Sequence, residues 1–176
     1  MRLCVLLLIV VAARAIIDAA FTVTPNSLEV AAVTDYHFSL VISNLGTTST
    51  ALPSSSDIVI TLPSQYTPIF STTPLTCFIS VWPDTQSTPS CSLTYLTITI
   101  SNAFTNSSLT IGALQIGVTF EWVINSITNP KYAQTLSAVS GAIRDASSDV
   151  LTFTTTSNLV ITPGALSKPV ANQSPL

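Results

Sequence analysis

LTIGALQIGVTFEWVINSI, residues 109–127, is the stretch that decides the fold. Leu114, Ile116, Val118, Phe120, Trp122 and Ile124 fall on alternate positions. Gln115, Gly117, Thr119, Glu121, Val123 and Asn125 lie between them, mostly small or polar. A period of two is that of a strand with one face in a core and the other in water. The run exceeds the usual strand of about 5–6 residues. It therefore reads as a central strand, and the rest of the chain as what covers its apolar face.

Working outward, Tyr36, Phe38, Leu40 and Ile42 repeat the alternation, as do Ile58, Ile60 and Leu62 in DIVITL. Residues 75–82 form a further strand with Cys77 on the apolar parity, and residues 93–101 another, through Leu96, Ile98 and Ile100. Pro25 cannot donate to a ladder, so residues 21–33 read as an edge or broken strand. Asn129-Pro130 stops the central strand; residues 132–143 and 150–161 then read as one strand each. Away from the N-terminus there is no helical period. The expectation is an all-β, two-sheet antiparallel sandwich of about seven to nine strands. Residues 16–162 form this domain, and residues 163–176, with three prolines, a non-globular tail or linker.

Charged residues make up 7% of the chain, against about 25% in an average soluble protein. Mean hydropathy is +0.59. Hydroxyls stand in for charges, with 24 Ser and 26 Thr. A surface so poor in charge needs glycan or burial in an assembly to stay dispersed. The start, MRLCVLLLIVVAARA, has Arg2, a short apolar run and Ala13-Arg14-Ala15. That is the pattern of a secretory signal peptide cleaved after residue 15. A membrane anchor needs roughly 20 apolar residues, more than the run provides. Removing residues 1–15 leaves three basic and eight acidic residues, a net charge of −5. No basic patch remains for nucleic acid.

Cys77 and Cys91 are then the two remaining cysteines, and an even count in a secreted chain reads as a disulfide. Their spacing is too short for the inter-sheet bridge of antibody domains, so they are expected to staple a hairpin or neighbouring loop. Asn106-Ser-Ser and Asn172-Gln-Ser are sequons, and both Asn106 and Asn172 are expected to carry N-linked glycan. Residues 47–56, 85–90 and the tail suit O-linked sugar by composition.

Reactive chemistry has few candidates. His37 is the lone histidine, with Asp35 on the same parity; an Asp–His pair beside a serine would be a hydrolase arrangement. Two polar residues on a wet face explain them equally well, and no nucleophile elbow is present. Glu121 has no acidic neighbour in sequence to form a carboxylate pair. Asp145 and Asp149 could offer oxygens to calcium, but their spacing matches no known loop. Trp82, Trp122 and Tyr132 could build an aromatic platform; Trp122 has core parity, which leaves Trp82 as the candidate ligand platform. The expectation is no catalytic residue, no metal and no cofactor.

Tyr36-His-Phe38, DIVITLP, Cys77…Cys91 and Ile127-Thr-Asn-Pro130 together resemble the immunoglobulin-like β-domains of protist cell-surface and extracellular-fibre glycoproteins. The resemblance covers residues 21–161. It implies an immunoglobulin-like β-sandwich at the cell surface or outside the cell, with no catalytic residues. Such proteins string several domains together, so a chain with one would assemble non-covalently. The functional expectation is therefore a secreted, glycosylated structural subunit that self-associates head-to-tail into a filament or surface coat. Its mechanism would be β-strand addition, with residues 21–33 or 158–171 as the donor. The alternative is a monomeric extracellular module that binds sugar or a receptor.

Overall fold

The computed structural model of the chain describes residues 18–44, 56–66, 75–79, 89–104, 119–145, 149–155 and 157–164. Within them lie eleven strands: β1 Asp18–Pro25, β2 Val33–Asn44, β3 Asp57–Thr61, β4 Cys77–Ile79, β5 Ser90–Thr94 and β6 Thr97–Ser101, followed by β7 Thr119–Thr128, β8 Gln134–Thr135, β9 Ser140–Arg144, β10 Asp149–Thr154 and β11 Val160–Ile161. Every ladder is antiparallel. One sheet runs β1-β2-β7-β4 and the other β10-β9-β3-β6-β5, with β11-β8 as a small third sheet. The described residues contain no helix.

β7 lies between β2 and β4, inside its sheet. Phe120, Trp122 and Ile124 are buried, while Glu121 faces out, so the period of two does bury one face. A bulge then changes the phase. Thr34 pairs with Ile127 but Tyr36 with Ile124, which leaves one extra residue on β7. Ser126 absorbs it at φ 65°, and its N–H donates to Asp35 Oδ1 at 3.4 Å. The shift returns Ile127 to the core.

The two large sheets face each other across one apolar cluster. At its centre Trp122 stacks on Phe38, ring centroids 5.6 Å apart, and Phe21 meets Phe153 of the opposite sheet at 4.6 Å. Burial of each such side chain contributes about 1.5–3 kcal/mol. Gly141 makes room for Phe153, whose Cε2 lies 2.4 Å from where a Cβ would sit.

Three segments divide differently from the sequence expectation. Residues 93–101 are part of a hairpin, because β5 turns into β6 at Tyr95-Leu96 and Tyr95 takes φ 58°. Turns of this kind usually announce themselves with Gly or Asn, and here a tyrosine takes the place. Residues 132–143 contribute β8 to the small sheet and β9 to the five-stranded one. Residues 150–161 likewise give β10 and β11. The chain crosses over at Val139 and Thr155, where the Thr155 amide donates to the Val139 carbonyl and the Val139 amide to Thr155 Oγ1. These divisions raise the count to eleven strands, above the seven to nine expected.

Both seams between the large sheets are closed. On one side β1 meets β10, with a parallel bridge from Phe21 to Thr155. On the other, the edge strands β4 and β5 are joined by Cys77–Cys91. β1 and β7 start at one end of the sandwich and finish at the other, the end that carries Asn129. Residues 27–33, 62–66, 128–137 and 158–164 converge there.

Candidate functional site

The Cys77–Cys91 disulfide spans the sandwich, with the Cα atoms 5.9 Å apart and 14 residues of separation. It corrects the expected hairpin staple. The two cysteines belong to strands of opposite sheets, and a connection of this length readily crosses the roughly 10 Å between sheets. Closing a loop of this size stabilises by about 3 kcal/mol in the chain-entropy model.

A second latch is polar. Asn129, 2% exposed, follows β7 and precedes Pro130. Its Nδ2 donates to the carbonyls of Ser27 (2.9 Å) and Glu29 (2.8 Å). The Tyr36 hydroxyl donates to Asn129 Oδ1. That uses the proton of Tyr36, so Tyr66, 2.7 Å away, must donate to the Tyr36 oxygen. Burial raises the Tyr66 phenol to about 12, against the pull of its hydrogen bond to Tyr36. Burial raises Tyr36 further, and Tyr66 beside it adds to the shift. Both phenols are therefore held neutral, as hydrogen-bonding parts of a closed chain.

Most residues with potential chemistry are dispersed, but β2 and β7 bring His37, Ser39 and Glu121 to one depression of about 170 Å³ on the outer face of their sheet. His37 stands on the solvent face of β2, opposite Val123, while Asp35 accepts from the Ser126 amide. Glu121 faces outward opposite Ser39. Asp149 pairs with Arg144 at 2.6 Å, so a guanidinium takes the place considered for calcium. Among the described residues no group of three His, Cys, Asp or Glu side chains could hold a metal. Trp122 is core and Tyr132 lies exposed at the Asn129 end, so they share no platform. Asn106, Asn172 and Trp82 lie outside the described residues, as does the segment 1–17.

The described parts of the expected donor segments, residues 21–33 and 158–164, are paired within their own chain, and residues 165–171 lie outside the described residues. β1 pairs with β2 along its length. Val30 N–H donates to the Thr162 carbonyl, Thr162 N–H to that of Leu28, and β11 pairs with β8.

Two further surfaces stand out among the described residues. The outer face of the five-stranded sheet carries a row of hydroxyls, Thr154, Ser140, Thr61, Thr97 and Thr94, one from each strand. Beside it is a depression of about 310 Å³ lined by Val59, Ala142 and Thr152, with Arg144 and Asp149 also on its wall. The other surface is the Asn129 end, where Leu28, Val33, Tyr132 and Val160 are exposed. Sequence reading passes over both. The row requires the strand register, and the apolar end gathers residues from three separate loops. Among the described residues no helix is long and apolar enough to cross a membrane.

No family model matches the sequence, and no curated protein matches it. Among solved structures, the chain is similar to BslA, described as a bacterial hydrophobin, with TM-score 0.45 and 14% identity over 84% of this chain and 100% of that one. It is also similar to the N-terminal domain of the Streptococcus gordonii adhesin Sgo0707, with TM-score 0.44 and 13% identity over 82% of this chain and 32% of that one.

Proposed function

We propose that the chain is a non-enzymatic structural subunit, secreted and self-associating into an extracellular coat or filament. The observation that carries this reading is the Cys77–Cys91 bridge between the edges of opposite sheets. A bond that closes a seam of the sandwich is kept only in an oxidising compartment. The signal-like start of the sequence and the two sequons agree with export. The scarcity of charge suits a protein whose surface is covered by glycan and by neighbouring copies. Because residues 21–33 and 158–164 are engaged within their own chain, this reading favours contact between copies through finished surfaces over exchanged strands.

Expression in a secreting eukaryotic host tests this. The protein is expected in the medium with its N-terminus at residue 16, Cys77 and Cys91 oxidised, and Asn106 glycosylated. A reduced chain retained inside the cell overturns the reading. The depression beside the hydroxyl row supports a second reading, an extracellular sugar-binding module. Glycan-array binding that disappears in Thr152→Trp, which fills the depression, would favour it.

A further inference from the structure

We propose that the Asn129 end is a docking surface for a second copy of this chain, the two meeting like with like about a twofold axis. The proposal rests on the self-associating reading above and names the surface and the partner.

Among the described residues, the exposed large hydrophobics are Tyr132 (76%), Tyr95 (69%), Val33 (65%), Val160 (51%), Phe78 (41%) and Leu28 (38%). All but Phe78 lie at the Asn129 end. All of these but Tyr95, which is on the β5–β6 turn, stand on or beside segments that are laced together. Asn129 N–H donates to the Ala32 carbonyl at 2.8 Å, Ala31 N–H to that of Pro130 at 3.0 Å, and Thr162 N–H to that of Leu28 at 2.8 Å. The buried Asn129 side chain pins the same loops from beneath. Such a surface is ordered before it binds, so little entropy is lost on docking.

Together these side chains expose on the order of 500 Å², comparable to the larger apolar patches that monomers show. A stable pair buries about 800 Å² per partner, with tyrosines and aliphatics at its centre and charge at its rim. Ala31, Ala133 and Pro163, also exposed, supply part of the remainder.

Charge decides which partner fits. Among the described residues, Asp35 beside this end is half-buried and accepts from the Ser126 amide, and the end itself exposes one acid, Glu29, and one base, Lys131. A twofold contact can set each against the other on the facing copy, as a self-complementary interface requires. Among the described residues, the opposite end has Asp57, Asp145 and Asp149 against Arg144 and none of the exposed large hydrophobics. An apolar surface matches the acidic described residues of that end poorly, so the proposed contact is end-to-same-end. A twofold contact closes. Pairs are then the building blocks, and a coat grows from them through other faces.

The test is sedimentation equilibrium of the secreted full chain across the micromolar range. The wild type is expected to show a reversible dimer. Tyr132→Glu with Val160→Glu is expected to raise the dissociation constant at least about tenfold, as loss of interface anchors does. Phe78→Glu, the same change away from this end, is expected to leave it unaltered. Glu29→Lys is expected to weaken the dimer, and the swap Glu29→Lys with Lys131→Glu to restore it. Far-ultraviolet circular dichroism checks that each variant is folded. A wild type that stays monomeric overturns the proposal, whether its own residues 165–176 cover the end or it seats on a lipid vesicle. Equal dissociation by Phe78→Glu overturns it too. The two readings fail separately: a reduced, intracellular chain refutes export whatever its mass.

Discussion

Asn129 stands before a proline at the end of a strand, a position at which the sequence signals only a stop. The fold makes it a hub, with three hydrogen bonds to Tyr36, Ser27 and Glu29. Leu is close to Asn in volume but can satisfy none of them. Asn129→Leu should therefore destabilise by about 3 kcal/mol, the cost of orphaning buried polar groups, read as a lowered denaturant midpoint. Tyr36→Phe should cost about 2 kcal/mol, since it strands Tyr66 and Asn129 Oδ1. The phenols also predict an alkaline limit. Burial pushes the Tyr66 phenol up to about 12 in the fold, from its ordinary 10.0, and Tyr36 further still. The unfolded chain therefore loses these protons first. Stability is full below about pH 10 and falls as pH rises toward 12, by up to about 1.4 kcal/mol per pH unit for each phenol. Chemical denaturation across that range measures it, and Tyr66→Phe should flatten the decline. At Gly141 a methyl group would collide with the Phe153 ring. Gly141→Ala should cost about 1–3 kcal/mol through overpacking, and Phe153→Leu in the same chain should recover part of that loss.

The elements were legible wherever the period of two ran uninterrupted. β2, β3 and the described part of the central strand bury the parity that the sequence indicates, Trp122 included. Breaks were harder to read. The β5–β6 turn is made by Tyr95 at positive φ, where no glycine marks it. The division between β8 and β9, and between β10 and β11, depends on which sheet each half joins. A period alone carries no such information, since both halves alternate correctly. The disulfide was read as a pair, but its role was not, because the placement of β4 and β5 in opposite sheets is a long-range fact. At this scale the prediction concerns the seam. Cys77→Ser with Cys91→Ser should cost about 3 kcal/mol. The loss should open β4 and β5 before the β1–β10 side, seen as faster amide exchange in those two strands.

The whole molecule is a two-sheet body with its seams closed at Phe21–Thr155 and Cys77–Cys91. Among the described residues its two ends differ, one carrying most of the exposed large hydrophobics and the other an excess of acid. The candidate surfaces were illegible in the sequence for the same reason as the seam. Leu28, Val33, Tyr132 and Val160 are each unremarkable alone, and only the fold gathers them at one end. Under the proposal made above, a body with so few charges is a building unit of an extracellular layer. Electron microscopy of the secreted, oxidised, full-length protein at rising concentration tests that most directly. The account predicts paired particles that go on to form ordered sheets or filaments. Dispersed single particles of monomer mass at every concentration would contradict it.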